Sequence, residues 1–271
     1  MRDIVLQDST FKQLSDFVYE KTGIFVPPSK KYLFENRLIN LIKEKNFKGF
    51  DEYLYYIKYN SNGRDLSRLF DAITTNETYF FREPQQMDVF IDEIVPRVVQ
   101  GRTKDIRIWS AACSTGEEPY TLAMMLMEKR GDVRADILAS DISDKALESA
   151  RRATYNSYSI RNVPELYLKK YFRINGQDYE LIRPVKAMVR FKNINLIDEK
   201  EVGKINSMDV IFCRNVLIYF GDKAKQQTVS LLYDCLKPGG FLFIGSSESL
   251  HNITRAFRPM TINRVIVYQK V

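Results

Sequence analysis

Apolar residues first recur at helical spacing in Phe11, Leu14, Phe17 and Val18, and the run stops at Gly23 and the pair Pro27-Pro28, both of which break helices. A second helix is predicted from about Ser29, as N-cap, to Lys45, with Leu33, Phe34, Leu38, Leu41 and Ile42 in phase. Phe50–Tyr59 and Arg64–Ala72 predict two shorter helices. Residues 1–73 therefore read as an all-helical domain, followed by a linker at 74–84 with Phe80 and Phe81 packed into an interdomain interface.

From Arg107 the pattern changes to strand, turn, helix, strand, the mark of parallel βαβ units. Strands are predicted at Arg107–Ala111, Ala135–Ser140, Val189–Ile194, Met208–Cys213 and Gly240–Gly245, and helices at Glu117–Lys129, Asp144–Ala153 and Lys223–Leu236. Two antiparallel strands near Phe257–Met260 and Arg264–Gln269 close the chain. Alternation is interrupted between Tyr155 and Lys186, where a helix at Glu165–Tyr171 precedes short strands at Tyr171–Ile174 and Tyr179–Ile182 around Asn175-Gly176, a hairpin signal. The expected fold class is α/β: a doubly wound, mostly parallel sheet over 85–271, with a small β-subdomain inserted at about 155–187 and the helical domain in front.

A length of 271 residues accommodates this division, and 45% hydrophobic with 28% charged residues is the composition of a soluble globular protein. The longest apolar runs are strand-sized, and MRDIVLQDST carries acids where a secretory signal needs a basic flank, so a cytoplasmic protein is expected. Cys113, Cys213 and Cys235 stand far apart without metal-ligand spacing and are expected to be reduced and buried. His251 is the only histidine, which argues against a histidine triad or a histidine-ligated metal; no metal is expected. The net charge of +7 favours an acidic partner without naming it.

Three stretches carry candidate chemistry. Trp109–Glu118 leaves a strand and enters a helix through small residues, at the place where doubly wound sheets bind ligands. It holds one glycine, Gly116, and lacks both the G-x-G-x-x-G fingerprint and a P-loop, so a phosphate cradle is not supported. Glu117 and Glu118 would instead attract a cation, although acids at a helix start also have a plainer dipole explanation. Asp141 ends the second strand, the position that grips ribose hydroxyls; capping the next helix is its alternative role, which Ser143 or Asp144 could fill. Arg214 and Asn215 emerge from the strand Met208–Cys213, with Tyr219 one turn later, and Asn193-Ile-Asn-Leu196 ends another strand. An acid for ribose without a pyrophosphate cradle suggests a nucleoside lacking phosphates, which S-adenosylmethionine satisfies.

Four blocks in order, Thr75-Asn-Glu-Thr-Tyr-Phe-Phe-Arg-Glu83, Trp109-Ser-Ala-Ala-Cys-Ser-Thr-Gly-Glu-Glu-Pro-Tyr120, Ala139-Ser-Asp-Ile142 and Phe212-Cys-Arg-Asn-Val-Leu-Ile-Tyr-Phe220, make the chain resemble the CheR-type chemotaxis receptor methyltransferases over nearly its whole length. The resemblance implies a class I S-adenosylmethionine methyltransferase fold and methylation of receptor glutamates. It further implies donor contacts from Asn76, Thr78, Arg82, Glu118, Asp141, Asn195, Leu196, Arg214 and Asn215, with Arg82 and Tyr219 closest to the transfer. An ionised carboxylate attacks without a general base, so the scarcity of histidine is no obstacle. Lys30, Lys31, Arg37, Lys43 and Lys45 make the second helix a candidate docking surface for an acidic receptor bundle, a solvated face being the plainer account. Some family members also tether a receptor's C-terminal peptide through the inserted subdomain and carry a glycine-bearing hairpin insertion. Phe172–Tyr179 is short, so tethering is not expected; nor are a nucleic-acid partner, membrane insertion or an oligomer. A methyltransferase acting on RNA or a small molecule, and a binding module without catalysis, are the competing readings.

Overall fold

The computed structural model of the chain describes residues 4–100 and 104–271. It divides into a helical unit, ending at Thr75 but including Tyr219–Lys225, and a sheet unit of Asn76–Ile218 and Gln226–Val271. In the helical unit, α1 (Asp8–Thr22), α2 (Lys31–Glu44), α3 (Phe50–Tyr59) and α4 (Gly63–Ile73) enclose Leu14, Val18, Phe34, Leu38, Ile57 and Leu69, all buried. Gly23 ends α1 in the left-handed region (φ 74), donating its N–H to Tyr19 O, a stop that glycine makes without a Cβ clash. Asn62 and Asp65 form a capping box on α4. Ser29 is not the N-cap of α2; it lies inside a one-turn 3-10 helix, Pro28–Lys30, because Pro28 already sets the first helical φ. Tyr219–Lys225 joins this unit by strand-like bonds, Phe25 N–H to Tyr219 O at 2.8 Å and Gly221 N–H to Gly23 O at 3.1 Å.

The basic helix expected for docking is largely occupied within its own unit. Arg37 donates to the carbonyls of Ile73 and Thr74 and to Thr75 Oγ1, holding the end of α4. Lys45 is paired with Asp65 and donates to Tyr56, and Lys31 pairs with Asp8. Lys30 and Lys43 alone of the five are exposed residues outside these ties.

In the sheet unit, β1 (Asp105–Ala111), β2 (Arg134–Asp141), β6 (Val189–Asn193), β7 (Met208–Cys213), β8 (Leu236–Ile244), β9 (Phe257–Ile262) and β10 (Val265–Lys270) form one seven-stranded sheet, ordered β6-β2-β1-β7-β8-β10-β9. All pairings from β6 to β8 are parallel, and β10 is antiparallel to both β8 and β9. From β1 the chain crosses to β2 on one side, whereas β7 lies on the other and leads outward to β8. Right-handed crossovers in opposite directions place the helices Glu117–Lys129 and Asp222–Cys235 on opposite faces, and the carboxyl ends of β1 and β7 flank the topological switch. The second sheet is β3 (Thr154–Tyr155), β4 (Phe172–Asn175) and β5 (Asp178–Leu181), ordered β3-β5-β4.

Three expectations change here. β3 is an additional strand. The hairpin turns on Gly176-Gln177 rather than Asn175-Gly176, because Asn175 pairs with Asp178 and Gly176 takes the positive φ. Phe80 and Phe81 belong to the core of the sheet unit, edge-on to Tyr155, Phe172 and Tyr167, rather than to an interdomain seam.

A helical stretch at 84–99, not foreseen, precedes β1 as Pro84–Val89, a π-turn Phe90–Ile94 and Val95–Val99. Pro84 sits in the first turn, where the missing N–H costs nothing, and Pro96 follows directly on the π-turn within the same continuous run. Cys113, Cys213 and Cys235 are free and buried, as expected, and His251 is exposed. No helix among the described residues is long and apolar enough to cross a membrane.

Candidate active site

After β1 the chain turns through Ala112–Gly116, with Ala112 (φ 64), Ser114 (φ 50) and Gly116 (φ 93) all left-handed. Two non-glycine residues in that region are strained and persist only when their surroundings hold them. Cys113 N–H donates to Ser140 O at 2.8 Å, Tyr155 hydroxyl to Thr115 O at 2.9 Å, and Ser114 N–H to Asp141 Oδ2 at 2.8 Å. At Gly116 a Cβ would meet Ala150 Cβ at 2.9 Å, so both φ and packing require glycine.

Asp141 ends β2 and is 7% exposed. Its Oδ1 accepts from Ser143 N–H at 2.9 Å, so two backbone donors fix the carboxylate at the switch point. The helix that follows is capped by Ser143, whose oxygen accepts from Ala146 N–H, which removes the capping explanation for Asp141. Its carbonyl accepts from Ile194 N–H at 3.1 Å, bringing Asn195 and Leu196 alongside.

At the end of β7, the buried Arg214 finds the partners that its position demanded. Nη1 donates to Glu118 Oε2 at 2.8 Å, Nη2 to the Arg82 carbonyl at 2.8 Å, and Nη2 lies 3.2 Å from Glu83 Oε2. Glu118 also accepts from Ser110 Oγ at 2.7 Å. Asn215, left-handed at φ 57, donates Nδ2 to Glu83 Oε1 at 3.3 Å. Glu248, after β8, accepts from the N–H groups of Gly245 (2.7 Å), Asn215 (2.7 Å) and Ile218 (3.2 Å), tying the β7 and β8 loops together. Burial works to raise the Glu83 carboxyl, but the charge and hydrogen bond of Arg214, with help from Asn215 and Ser246, outweigh it and hold the group below the ordinary glutamate value. Glu83 and Glu248 are structural partners that stand outside the predicted contact residues.

Residues 76–83 run as a strap fastened at both ends: Ser114 Oγ donates to Asn76 Oδ1 at 3.3 Å, and Arg82 and Glu83 join the Arg214 cluster. Thr78 lies half-buried between. The Arg82 side chain is also half-buried, with Nη1 donating to Glu77 O at 2.9 Å and the guanidinium 5.8 Å from the Tyr79 ring.

Glu117 departs from its expected role as a cation-attracting acid. It is 2% exposed and accepts from Thr115 Oγ1 and Ser159 Oγ instead of facing the loop's mouth, and burial raises its carboxyl despite those bonds. Asn193 is occupied with Ile142 O and Asp144. Tyr219 ends a 3-10 turn and groups with the helical unit.

A mostly parallel sheet with an acid at the end of its second strand and a turn of small residues after its first is the arrangement in which doubly wound folds bind a nucleoside. Residues 9–74 match the family model for the CheR methyltransferase all-alpha domain, and residues 76–266 that for the CheR methyltransferase SAM binding domain; the chain belongs to the CheR methyltransferase family. Chemotaxis protein methyltransferase 2 of Vibrio cholerae is 39% identical over 275 residues, spanning 100% of this chain and 96% of that protein. The chemotaxis protein methyltransferase of Borreliella burgdorferi is 38% identical (92% and 90% covered), and that of Escherichia coli 33% (94% and 89%).

The chain is thus a methyltransferase whose donor is S-adenosylmethionine, and its own residues fit that molecule. Glu83 and Glu118 share one guanidinium, that of Arg214, and Asp141 adds a third carboxylate that accepts from backbone N–H groups, a negative balance suited to a sulfonium and an ammonium. Arg214 Nε is buried without a hydrogen-bond partner, a donor that a carboxylate would satisfy. Asp141→Ala is expected to weaken S-adenosylmethionine binding by about 1.5–3 kcal/mol, the worth of hydrogen bonds to a charged acceptor. Calorimetry is the check, and unchanged affinity would remove Asp141 from the ribose site.

Proposed function

We propose that the chain transfers a methyl group from S-adenosylmethionine to glutamate side-chain carboxylates of bacterial chemotaxis receptors in the cytoplasm, giving methyl esters for sensory adaptation. The observation that carries this reading is the strap, which fastens an arginine, Arg82, beside a donor site whose charged side chains, Arg214 apart, are carboxylates. An anionic acceptor needs such a cation beside it, and full-length likeness to chemotaxis protein methyltransferases supports the acceptor's identity.

When bound, S-adenosylmethionine supplies an electrophilic methyl group on sulfur and leaves as S-adenosylhomocysteine. A glutamate carboxylate is ionised near neutral pH, so its oxygen forms the new bond while the C–S bond breaks toward sulfur, and no residue has to move a proton. The protein's task is alignment, which can supply roughly 7–11 kcal/mol in favourable systems. Arg82 orients the incoming carboxylate, and the same reading gives Tyr219 a part in the transfer. Asn76, Thr78, Arg82, Glu118, Asp141, Asn195, Leu196, Arg214 and Asn215 hold the donor. Peptide mass spectrometry after incubation with donor and receptor-containing membranes tests the acceptor: methyl esters on receptor glutamates are expected, and methyl groups confined to amines or RNA would overturn the reading.

On the helical unit, Lys30 and Lys43 remain as the exposed docking candidates. Lys30→Glu with Lys43→Glu is expected to raise KM for the membranes about threefold through lost steering, with donor affinity intact; an unchanged KM would move docking elsewhere. The two-residue hairpin turn agrees with a receptor engaged without a tethering peptide.

A further inference from the structure

The turn between β3 and the helix Glu165–Tyr171 packs on the strap and carries a group that the donor site does not use. Asn156 caps the short helix Ser157–Ile160, Phe80 N–H donates to Ser159 O at 3.0 Å, and the Tyr158 hydroxyl bonds the Glu77 carboxylate. Against this frame lies Arg161. Its guanidinium carbon is 3.7 Å from the ring centroids of both Tyr79 and Tyr158, and Nη1 donates to Tyr158 O at 2.5 Å. The cation is clamped between two rings.

Such stacking fixes the plane of the guanidinium while leaving its edge available, because the rings occupy the faces and not the N–H directions. Arg161 is nevertheless an exposed residue with no carboxylate partner among the described residues, and Tyr158 is 51% exposed. The clamp therefore immobilises a surface fork without burying it in the core. The far edge of the clamp leads back to the site: Arg82 lies 5.8 Å from the same Tyr79 ring, so two guanidiniums share one aromatic. A planar, pre-oriented fork beside a second arginine is the geometry that takes carboxylates two-pronged.

We propose that Arg161 is an acceptor-specificity residue, binding a second carboxylate of the acidic segment whose glutamate is presented to Arg82. This rests on the reading that the acceptor is a glutamate in an acidic protein segment. It assigns the strap two functions: its ends hold the donor site together, and Tyr79 spaces two carboxylate-binding groups along the acceptor.

The test uses the full-length protein and two fluorescently labelled helical peptides, one with glutamates a helical turn apart, the other with one of these changed to glutamine. Anisotropy is measured with S-adenosylhomocysteine present, for the natural protein, R161Q and R161K. The natural protein should prefer the two-glutamate peptide by about fivefold to tenfold, as a stacked, bidentate but solvent-exposed pair allows. R161Q should lose that preference while binding the glutamine peptide and S-adenosylhomocysteine normally, and R161K should recover only part of it. With receptor-containing membranes, R161Q should raise KM by a similar factor and leave kcat within about twofold. The proposal is overturned if the natural protein does not discriminate between the peptides, if R161Q keeps the preference, or if R161Q weakens both peptides and S-adenosylhomocysteine together. Discrimination that depends on Arg161, in a protein that forms no glutamate ester, would leave the site standing and remove the acceptor chemistry instead.

Discussion

Arg214→Leu is expected to lower the Tm of the methyltransferase domain by roughly 10 °C and to abolish S-adenosylmethionine binding at concentrations that saturate the natural protein. The Arg214 side chain is 2% exposed and answers Glu83 and Glu118, themselves 19% and 14% exposed. Removing one partner of a buried ionic group leaves charge without compensation, a loss of about 3–5 kcal/mol. Here two carboxylates and the Arg82 carbonyl are abandoned together, and the strap is released at one end. The loss has a pH signature. Glu83 is held below its ordinary value of 4.5, so the stability it contributes is present above that value and fades as pH falls through the lowered one. The difference in Tm between variant and natural protein should therefore be greatest near neutrality and shrink in acid. Adding Glu83→Gln and Glu118→Gln to Arg214→Leu should recover part of the stability but not donor binding. Thermal denaturation at two pH values is the check; an unchanged Tm at neutral pH would mean that the cluster is not a structural hub.

The second large effect is kinetic. Arg82→Ala is expected to reduce kcat and kcat/KM together by about a hundredfold, the scale on which misplaced reactants lose rate. Stability should fall by only about 1 kcal/mol, since the side chain gives up one hydrogen bond, to Glu77 O. Its structural service is done by the main chain, whose carbonyl accepts from Arg214 and survives in alanine. Arg82→Lys keeps the charge and loses the planar fork, so intermediate activity indicates orientation of a carboxylate and full activity indicates simple attraction. A fully active Arg82→Ala with a normal Tm would take the catalytic role away from the strap.

Periodicity made the architecture legible. Strand-turn-helix alternation located β1, β2, β6, β7 and β8, and the helix Glu117–Lys129 has the predicted ends. The stretch 84–99 was not read from periodicity; Pro84 occupies its first turn, where a helix tolerates it, and Pro96 stands next to the π-turn that interrupts the regular helical repeat. At the site, Asp141 was readable from its place at the end of a strand. Arg214 was readable only as an arginine in need of a partner, because Glu118 lies 96 residues away in sequence and only the sheet order brings them together.

Glu117 and Glu118 are adjacent and equivalent in charge, and only the resemblance singled out Glu118; neighbouring helical positions point about 100° apart. One carboxylate meets Arg214 and the other is buried against Ser159. Glu248 could have been suspected from Gly245-Ser-Ser-Glu248, an acid three residues beyond a strand-end glycine; that it also binds Asn215 and Ile218 depends on β7 and β8 being neighbours. On the basic helix, the run of charges counts Arg37 and Lys45 as surface cations, whereas packing uses both against α4 and α3.

The most direct measurement is transfer of a radiolabelled methyl group from S-adenosylmethionine to receptor-containing membranes, followed by brief exposure to mild base. Carboxyl methyl esters hydrolyse there and release volatile methanol, whereas methylated amines and nucleobases do not. The account predicts protein-bound label that is released by base, depends on receptor and is lost with Arg82→Ala. Base-stable label, or label that appears on RNA or without receptor, would contradict it.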